Sequence, residues 1–205
     1  EMALEAGPDY EPAQHLLDWL EGEQPWLGLE DEISSAMQRR LEGSRRRDRA
    51  WRRRLQQKLR TLDPTLGQTL PLYTRAALTE TARPVLPGGG WSTFRKAELV
   101  DEVVKALTDE ETLDWIVADL GRKDREALRA VLEQGGAMRW EAFDDAYGND
   151  LDESRYWELH RPETIMGWLR LQGLLVEATV DGELYVVIPV DLRDLLEDIL
   201  QAVPE

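Results

Sequence analysis

The stretch LLVEATVDGELYVVIP, residues 174–189, decides the fold. Upstream of it apolar residues recur with the 3.6-residue period of helices, and within it the period falls to two. Asp181-Gly182 separates two β-rich runs. That pair is the strongest short hairpin signal in a sequence, because both central positions of such a tight turn need positive φ. A two-residue turn fixes the register: Val180 faces Glu183, Ala178 faces Tyr185 and Val176 faces Val187. The ribbon is then apolar at its base and polar at its tip, so the base packs and the tip projects.

Working back towards the N-terminus, helices are punctuated regularly. Residues 94–107 place Leu99, Val100, Val103, Val104 and Leu107 on one face. Thr108 and Glu111 form a capping-box pattern for a helix carrying Leu113, Ile116, Val117 and Leu120, with Gly121 as its stop. A helix over about 123–134 brings Leu128, Val131 and Leu132 and ends at Gly135-Gly136. Another over 139–147 brings Trp140, Phe143 and Tyr147 and ends at Gly148. Residues 152–159 add a short turn. Pro162 opens a helix to about 172, with Ile165, Met166 and Leu169 inward and Gly173 as its left-handed stop. After the hairpin, 191–202 is helical, with Leu192, Leu195, Leu196, Ile199 and Leu200 on one side and Asp191 as N-cap.

Three helices followed by a hairpin is the order of a winged helix, with 123–134, 139–147 and 162–172 as its helices and 174–189 as its wing. The fold class expected is mainly α: an extended N-terminal helical arm plus a C-terminal winged-helix domain with one β-hairpin. The stretch FRKAELVDEVVKALTDEETLDWIVADLGRKDREALRAVLEQGG, with TIMGWLRLQGLLVEATVDGELYVVIPVDLRDLL, resembles the winged-helix modules of bacterial helicase-associated proteins of the XPB-like N-terminal type. The opening RKAELVDEVVKAL is also similar to SAP and Rho N-terminal helical modules, which are associated with nucleic acid. The resemblance covers residues 94–197 and consists of apolar patterning. It implies a fold and a transcription or DNA-transaction setting, and it carries no catalytic residue across.

The remaining segments divide by charge. Residues 1–30 are an acidic segment with one short helical stretch near AQHLLDWLEG. Residues 31–62 read as an Arg-rich helical arm, 63–90 as a linker marked by four prolines and Gly88-Gly89-Gly90, and 91–205 as the compact domain. Residues 1–38 hold ten acids and no Lys or Arg, residues 39–60 eleven bases against two acids, and residues 95–205 twenty-seven acids against twelve bases. The arm's apolar stripe, Ile33, Met37 and Leu41, then Trp51, Leu55 and Leu59, is too narrow to be a core, and Gly43-Ser44 interrupts it. It suits docking in one groove, or oligomerisation.

The arm's candidate contact residues are Arg39, Arg40, Arg45, Arg46, Arg47, Arg49, Trp51, Arg52, Arg53, Arg54, Lys58 and Arg60. Arginine suits bidentate contact with phosphate or carboxylate, and Trp51 allows base stacking as well as packing. The run fits nucleic acid and an acidic protein surface equally well. The domain itself is ill suited to phosphate. Its third helix offers one cation, Arg170, beside Glu163, and its wing tip carries Asp181 and Glu183. Duplex DNA presents a negative charge every ~1.7 Å of axis, so a domain this acidic meets net repulsion. Arg155, His160 and Arg161 precede the helix as a small local patch. Arg155, Trp157, Arg161, Trp168 and Arg170 form the expected contact surface of the winged helix, with Trp157 or Trp168 either anchoring a protein partner or completing the core.

Enzymatic chemistry finds no support. His15 and His160 have no partner spacing, PGGGWS lacks the Lys-Ser/Thr of a phosphate loop, and the acids of FDDAYGNDLDES lack calcium-loop spacing. Zero cysteines exclude disulfides and thiolate chemistry, and no stretch approaches the ~20 apolar residues of a membrane span. The expectation is a cytoplasmic, non-enzymatic adaptor without cofactor or metal. Its arm contacts nucleic acid and its acidic winged helix contacts a protein. The competing reading is a protein–protein scaffold or oligomerisation protein whose basic arm pairs with acidic protein surface.

Overall fold

A computed structural model describes residues 57–86, 88–151, 153, 157 and 161–202, with the isolated helical positions Ser35, Arg39, Gly43, Ala50, Arg53 and Arg54. The chain divides into two compact units, Glu1–Gly43 and Ser44–Glu205. Ser35, Arg39 and Gly43 belong to the first. Every element below belongs to the second. The helical stretch expected near AQHLLDWLEG and most of the arm's stripe lie outside the described residues.

The second unit is mainly helical with one small antiparallel sheet. Its order is α1 (Leu66–Thr69), a 3-10 turn (Leu70–Leu72), α2 (Arg75–Val85), a 3-10 turn (Gly90–Thr93), α3 (Lys96–Leu107), α4 (Glu110–Asp119), α5 (Arg122–Glu133), β1 (Ala137–Arg139), α6 (Trp140–Tyr147), α7 (Ile165–Leu171), β2 (Val176–Val180), β3 (Glu183–Val187) and α8 (Val190–Ala202). The run α5–β1–α6–α7–β2–β3 has the element order of a winged helix. The sheet is ordered β1-β3-β2, so β3 is central.

The hairpin register is the expected one, with Val180 opposite Glu183, Ala178 opposite Tyr185 and Val176 opposite Val187. Asp181 at φ 53° and Gly182 at φ 86° make the tight turn. β1 is new relative to the sequence reading. Three residues, Ala-Met-Arg, are too short to show a period, and the strand is defined by its partner: Met138 pairs with Val186, and Ile188 donates to the Gly136 carbonyl at 2.9 Å.

The stretch 63–90 is corrected from linker to core. Leu66, Leu70, Leu78, Ala82 and Val85 are all buried in the main cluster with Leu99, Val103, Leu107, Leu169 and Leu196. The prolines misled because two of them lie inside helical segments, one at a helix start where proline is tolerated and one where it costs a helical hydrogen bond just before the helix ends. Pro71 falls in the first turn of a 3-10 helix, and Pro84 in the last turn of α2. Gly88 and Gly89, at φ 101° and 70°, form a loop. The described core therefore reaches back to Leu59, well before Trp91.

Four caps also differ from expectation. Thr108 closes α3, donating its hydroxyl to Val104 O, and Asp109 caps α4 by accepting from Thr112 N at 3.0 Å. The short carboxylate fits the N-cap better than a threonine already committed to the preceding turn. Gly121 is the N-cap of α5, its N–H donating to Asp124 at 2.9 Å, rather than a left-handed stop. Thr164, not Pro162, sets the start of α7, with its hydroxyl accepting from Gly167 N. Asp191 lies inside α8 and caps another helix: both its oxygens lie 3.0 Å from the N–H of Leu66, the first residue of α1. Val190 N donates to Pro64 O beside it, so the start of the domain is stapled to the start of its last helix.

Candidate nucleic-acid interface and partner groove

The arm joins the domain at the wing. Leu59 is buried with Val176, Ala178 and Val187, and its carbonyl accepts the N–H of Thr179 at 2.9 Å. That bond covers part of the free edge of β2, which otherwise leaves unpaired backbone groups. A few residues on, Arg193 from α8 reaches Asp63 at 2.6 Å and Ile188 O at 3.0 Å, and also donates to the Leu62 carbonyl. The chain from Leu59 to Asp63 is thereby fixed to the hairpin and α8.

Lys58 and Arg60 flank this root. Arg53, Arg54, Lys58 and Arg60 are exposed, and the Arg60 Nε donates only to Gln57 O at 3.2 Å. Lys96 at the start of α3 joins them. Partial burial lowers its pKa, and the nearby Lys58 charge lowers it further. Its ammonium donates to Pro71 O at 2.6 Å. Arg95 beside it is exposed. In the other unit Arg39 is also exposed. Among the described residues, none of Arg39, Arg53, Arg54 and Lys58 forms an ion pair. Arg40, Arg45, Arg46, Arg47, Arg49, Trp51 and Arg52 lie outside the described residues.

The helix α7 presents no cation. Arg170, expected on the contact surface, is 1% exposed. It sits between Glu177 of β2, to which Nη2 donates, and Asp150, whose Oδ2 is 3.1 Å from Nη1 at ion-pair distance without hydrogen-bond alignment. Trp140 Nε1 donates to the same Glu177 at 3.0 Å, and Tyr73 donates its hydroxyl to Arg170 O at 2.9 Å. Burial pushes the Arg170 pKa down, but Asp150 and Glu177 outweigh it, and the guanidinium stays charged with a raised value. Sequence reasoning assigned it outward because an arginine at helical spacing looks solvated. Its partners, Asp150 and Glu177, are on other elements.

At the wing tip Asp181 and Glu183 are exposed, as the acidic D-G-E sequence implied. Glu183 pairs with Arg139 of β1 at 3.1 Å. The Arg139 pKa is raised, first by its hydrogen bond with Tyr185 and then by Glu183.

On α2, α4 and α7 lies a groove of about 520 Å³. Glu80, Arg83 and Pro84 line it from α2, Trp115 and Asp119 from α4, and Trp168 and Leu171 from α7, with Trp157, Arg161 and Gln172 completing the wall. Trp168 is half-buried with the Arg161 guanidinium 5.9 Å from its ring centre. Trp157 is buried against Tyr73, 6.3 Å between ring centres, so it serves core and groove wall together. Arg155 and His160 lie outside the described residues. Sequence reasoning missed Trp115, which is 55% exposed. Its signal was present: Leu113, Ile116, Val117 and Leu120 mark the inward face of α4, and Trp115 falls off it.

Among the described residues no cluster of His, Asp or Glu could hold a metal ion, and no helix is long and apolar enough to cross a membrane. Comparison with protein-family models, with curated proteins and with solved structures finds no match for this chain.

Proposed function

We propose that this protein is a non-enzymatic, cytoplasmic adaptor associated with DNA or transcription: its arginine-rich arm contacts nucleic acid and its acidic winged-helix domain holds a protein partner. One observation carries the reading. The only cation of α7 is enclosed by Asp150 and Glu177, whereas Lys58 and Arg60 stand exposed on either side of Leu59, which is anchored to the wing edge, and Arg53 and Arg54 are exposed.

A winged helix ordinarily places its third helix in the major groove and its wing on phosphate. Here α7 has no basic side chain to offer, and the wing tip is acidic. Cations on the anchored arm replace both, and they act through counterion release rather than base reading. The XPB-like patterning and the helix–strand–helix–helix–hairpin order agree with that setting. A mobility-shift assay of the full chain on duplex and single-stranded DNA tests the proposal. Binding at low ionic strength that weakens steeply with salt supports it, and no binding at low ionic strength ends it in favour of the scaffold reading.

A further inference from the structure

We infer that the groove on α2, α4 and α7 docks an arginine-bearing peptide segment of a protein partner, with a partner guanidinium stacked on Trp115 and paired with Asp119. This rests on the protein-contact half of the adaptor reading and specifies its ligand.

Three tryptophans differ in what covers their rings. Trp91 has the Arg83 guanidinium 5.9 Å from its ring centre, and Trp168 has Arg161 at 5.9 Å. Trp115 is the most exposed large apolar side chain among the described residues, and no cation or ring there covers it. An indole ring is the best of the aromatic faces for a cation, because its π face is the most negative.

Charge selects the ligand. Glu111, Asp114, Trp115 and Asp119 share one face of α4 at helical spacing, and all are exposed. Of the groove's own cations, Arg83 is committed to Glu80 at 2.8 and 3.1 Å, and the Arg161 guanidinium lies 5.9 Å from the Trp168 ring centre. A cationic visitor fits this face and a phosphate chain does not. Guanidinium fits better than ammonium, because its plane stacks on indole while its edge donates to a carboxylate in fork geometry.

The wall indicates a peptide rather than a small cation. Trp157 Nε1 and Gln172 Oε1 have no hydrogen-bond partner, although the two residues are 6% and 7% exposed. One is a donor and the other an acceptor. A peptide backbone supplies the matching carbonyl and N–H, reached when these two side chains turn into the groove. A volume of about 520 Å³ holds several residues of extended chain.

The test uses the full chain, labelled at the indole nitrogens, titrated to millimolar concentration with the peptide Ser-Gly-Arg-Ser-Arg-Gly-Ser and its lysine counterpart at physiological salt. The expected result is movement of the indole N–H resonance that Trp115→Phe deletes, with affinity for the arginine peptide at least about fivefold above that for lysine. Trp115→Leu and Asp119→Asn should each weaken binding about tenfold, while Glu197→Gln on the exposed side of α8 changes nothing. No binding, equal binding of both peptides, or equal loss in Glu197→Gln overturns the inference. Concentration-dependent self-association abolished by Trp115→Leu also overturns it, by making a second copy the occupant. DNA affinity measured on the same variants separates the two readings. Its persistence without peptide binding removes this site alone, and its absence alongside peptide binding removes the nucleic-acid reading alone.

Discussion

Leu59 accepts a backbone hydrogen bond from Thr179 at 2.9 Å, so the basic run meets the edge of the wing at its C-terminal end. The bond ties a charge pattern visible in the sequence to a place in the fold. It sets Lys58 and Arg60, the neighbours of Leu59, beside the hairpin, and the hairpin's own tip stays acidic.

Burial of Leu59 with Val176, Ala178 and Val187 holds that junction. Leu59→Ala should cost about 2–3 kcal/mol in urea unfolding, at the low end for a buried leucine because the site borders solvent. A cost below about 0.5 kcal/mol would mean that the root is not anchored.

Arg170 is the charged centre of the core. Arg170→Met keeps its volume but leaves Asp150 and Glu177 facing each other without a cation, and it should destabilise by about 3–5 kcal/mol. Adding Glu177→Gln should recover part of that loss, since one buried anion is gone. Chemical denaturation of the three variants checks the cycle, and a double variant no more stable than Arg170→Met would contradict the coupling.

Gly136 and Arg193 cannot tolerate a methyl between them. A Cβ at Gly136 would lie 2.1 Å from Arg193 Nε, whereas one at Gly135 meets nothing within 4 Å, and both glycines have positive φ. Gly135→Ala should carry only the left-handed strain of about 1–2 kcal/mol. Gly136→Ala should cost more, by displacing Arg193 from Leu62, Asp63 and Ile188. Equal losses in thermal unfolding would show that Arg193 moves aside freely.

Two carboxylates should bend the acid limb in opposite directions. Hydrogen bonds from the Thr112 side chain and backbone hold Asp109 below the usual carboxylate range. Its stabilisation is present above the ordinary value and is lost as pH falls through the lowered one. Burial raises Asp124, against the opposing bond from Gly121. Its contribution is present below the ordinary value and is lost as pH rises through the raised one. Asp109→Asn should therefore flatten the loss of stability between neutral and acid pH, and Asp124→Asn should steepen it. Urea unfolding across that range checks both slopes.

The hairpin and the long helices were legible because their signals are local. Asp181-Gly182 fixes a turn, and Leu99, Val103 and Leu107 fix a face. What escaped the sequence is paired at long range. Asp191 has a capping role legible in its type, but the helix it caps begins at Leu66, 125 positions away. Arg170 looks like any surface arginine until Asp150 and Glu177 are brought to it. The prolines of 63–90 read as breaks, yet two of them lie inside helical segments, and the short helices of this stretch bury Leu66, Leu70 and Leu78. Trp115 was legible as an aromatic off the apolar face, a sign outweighed by attention to Trp157 and Trp168.

The central claim is that phosphate meets the arm and not α7, and the salt dependence of DNA affinity measures it. Full chain should show log affinity falling with log salt by ~0.9 per phosphate neutralised. Reversing Arg53, Arg54, Lys58 and Arg60 to glutamate, all exposed and so compatible with folding, should weaken binding and flatten that slope by ~0.9 for each phosphate no longer neutralised. An unchanged slope in the folded variant would contradict the account.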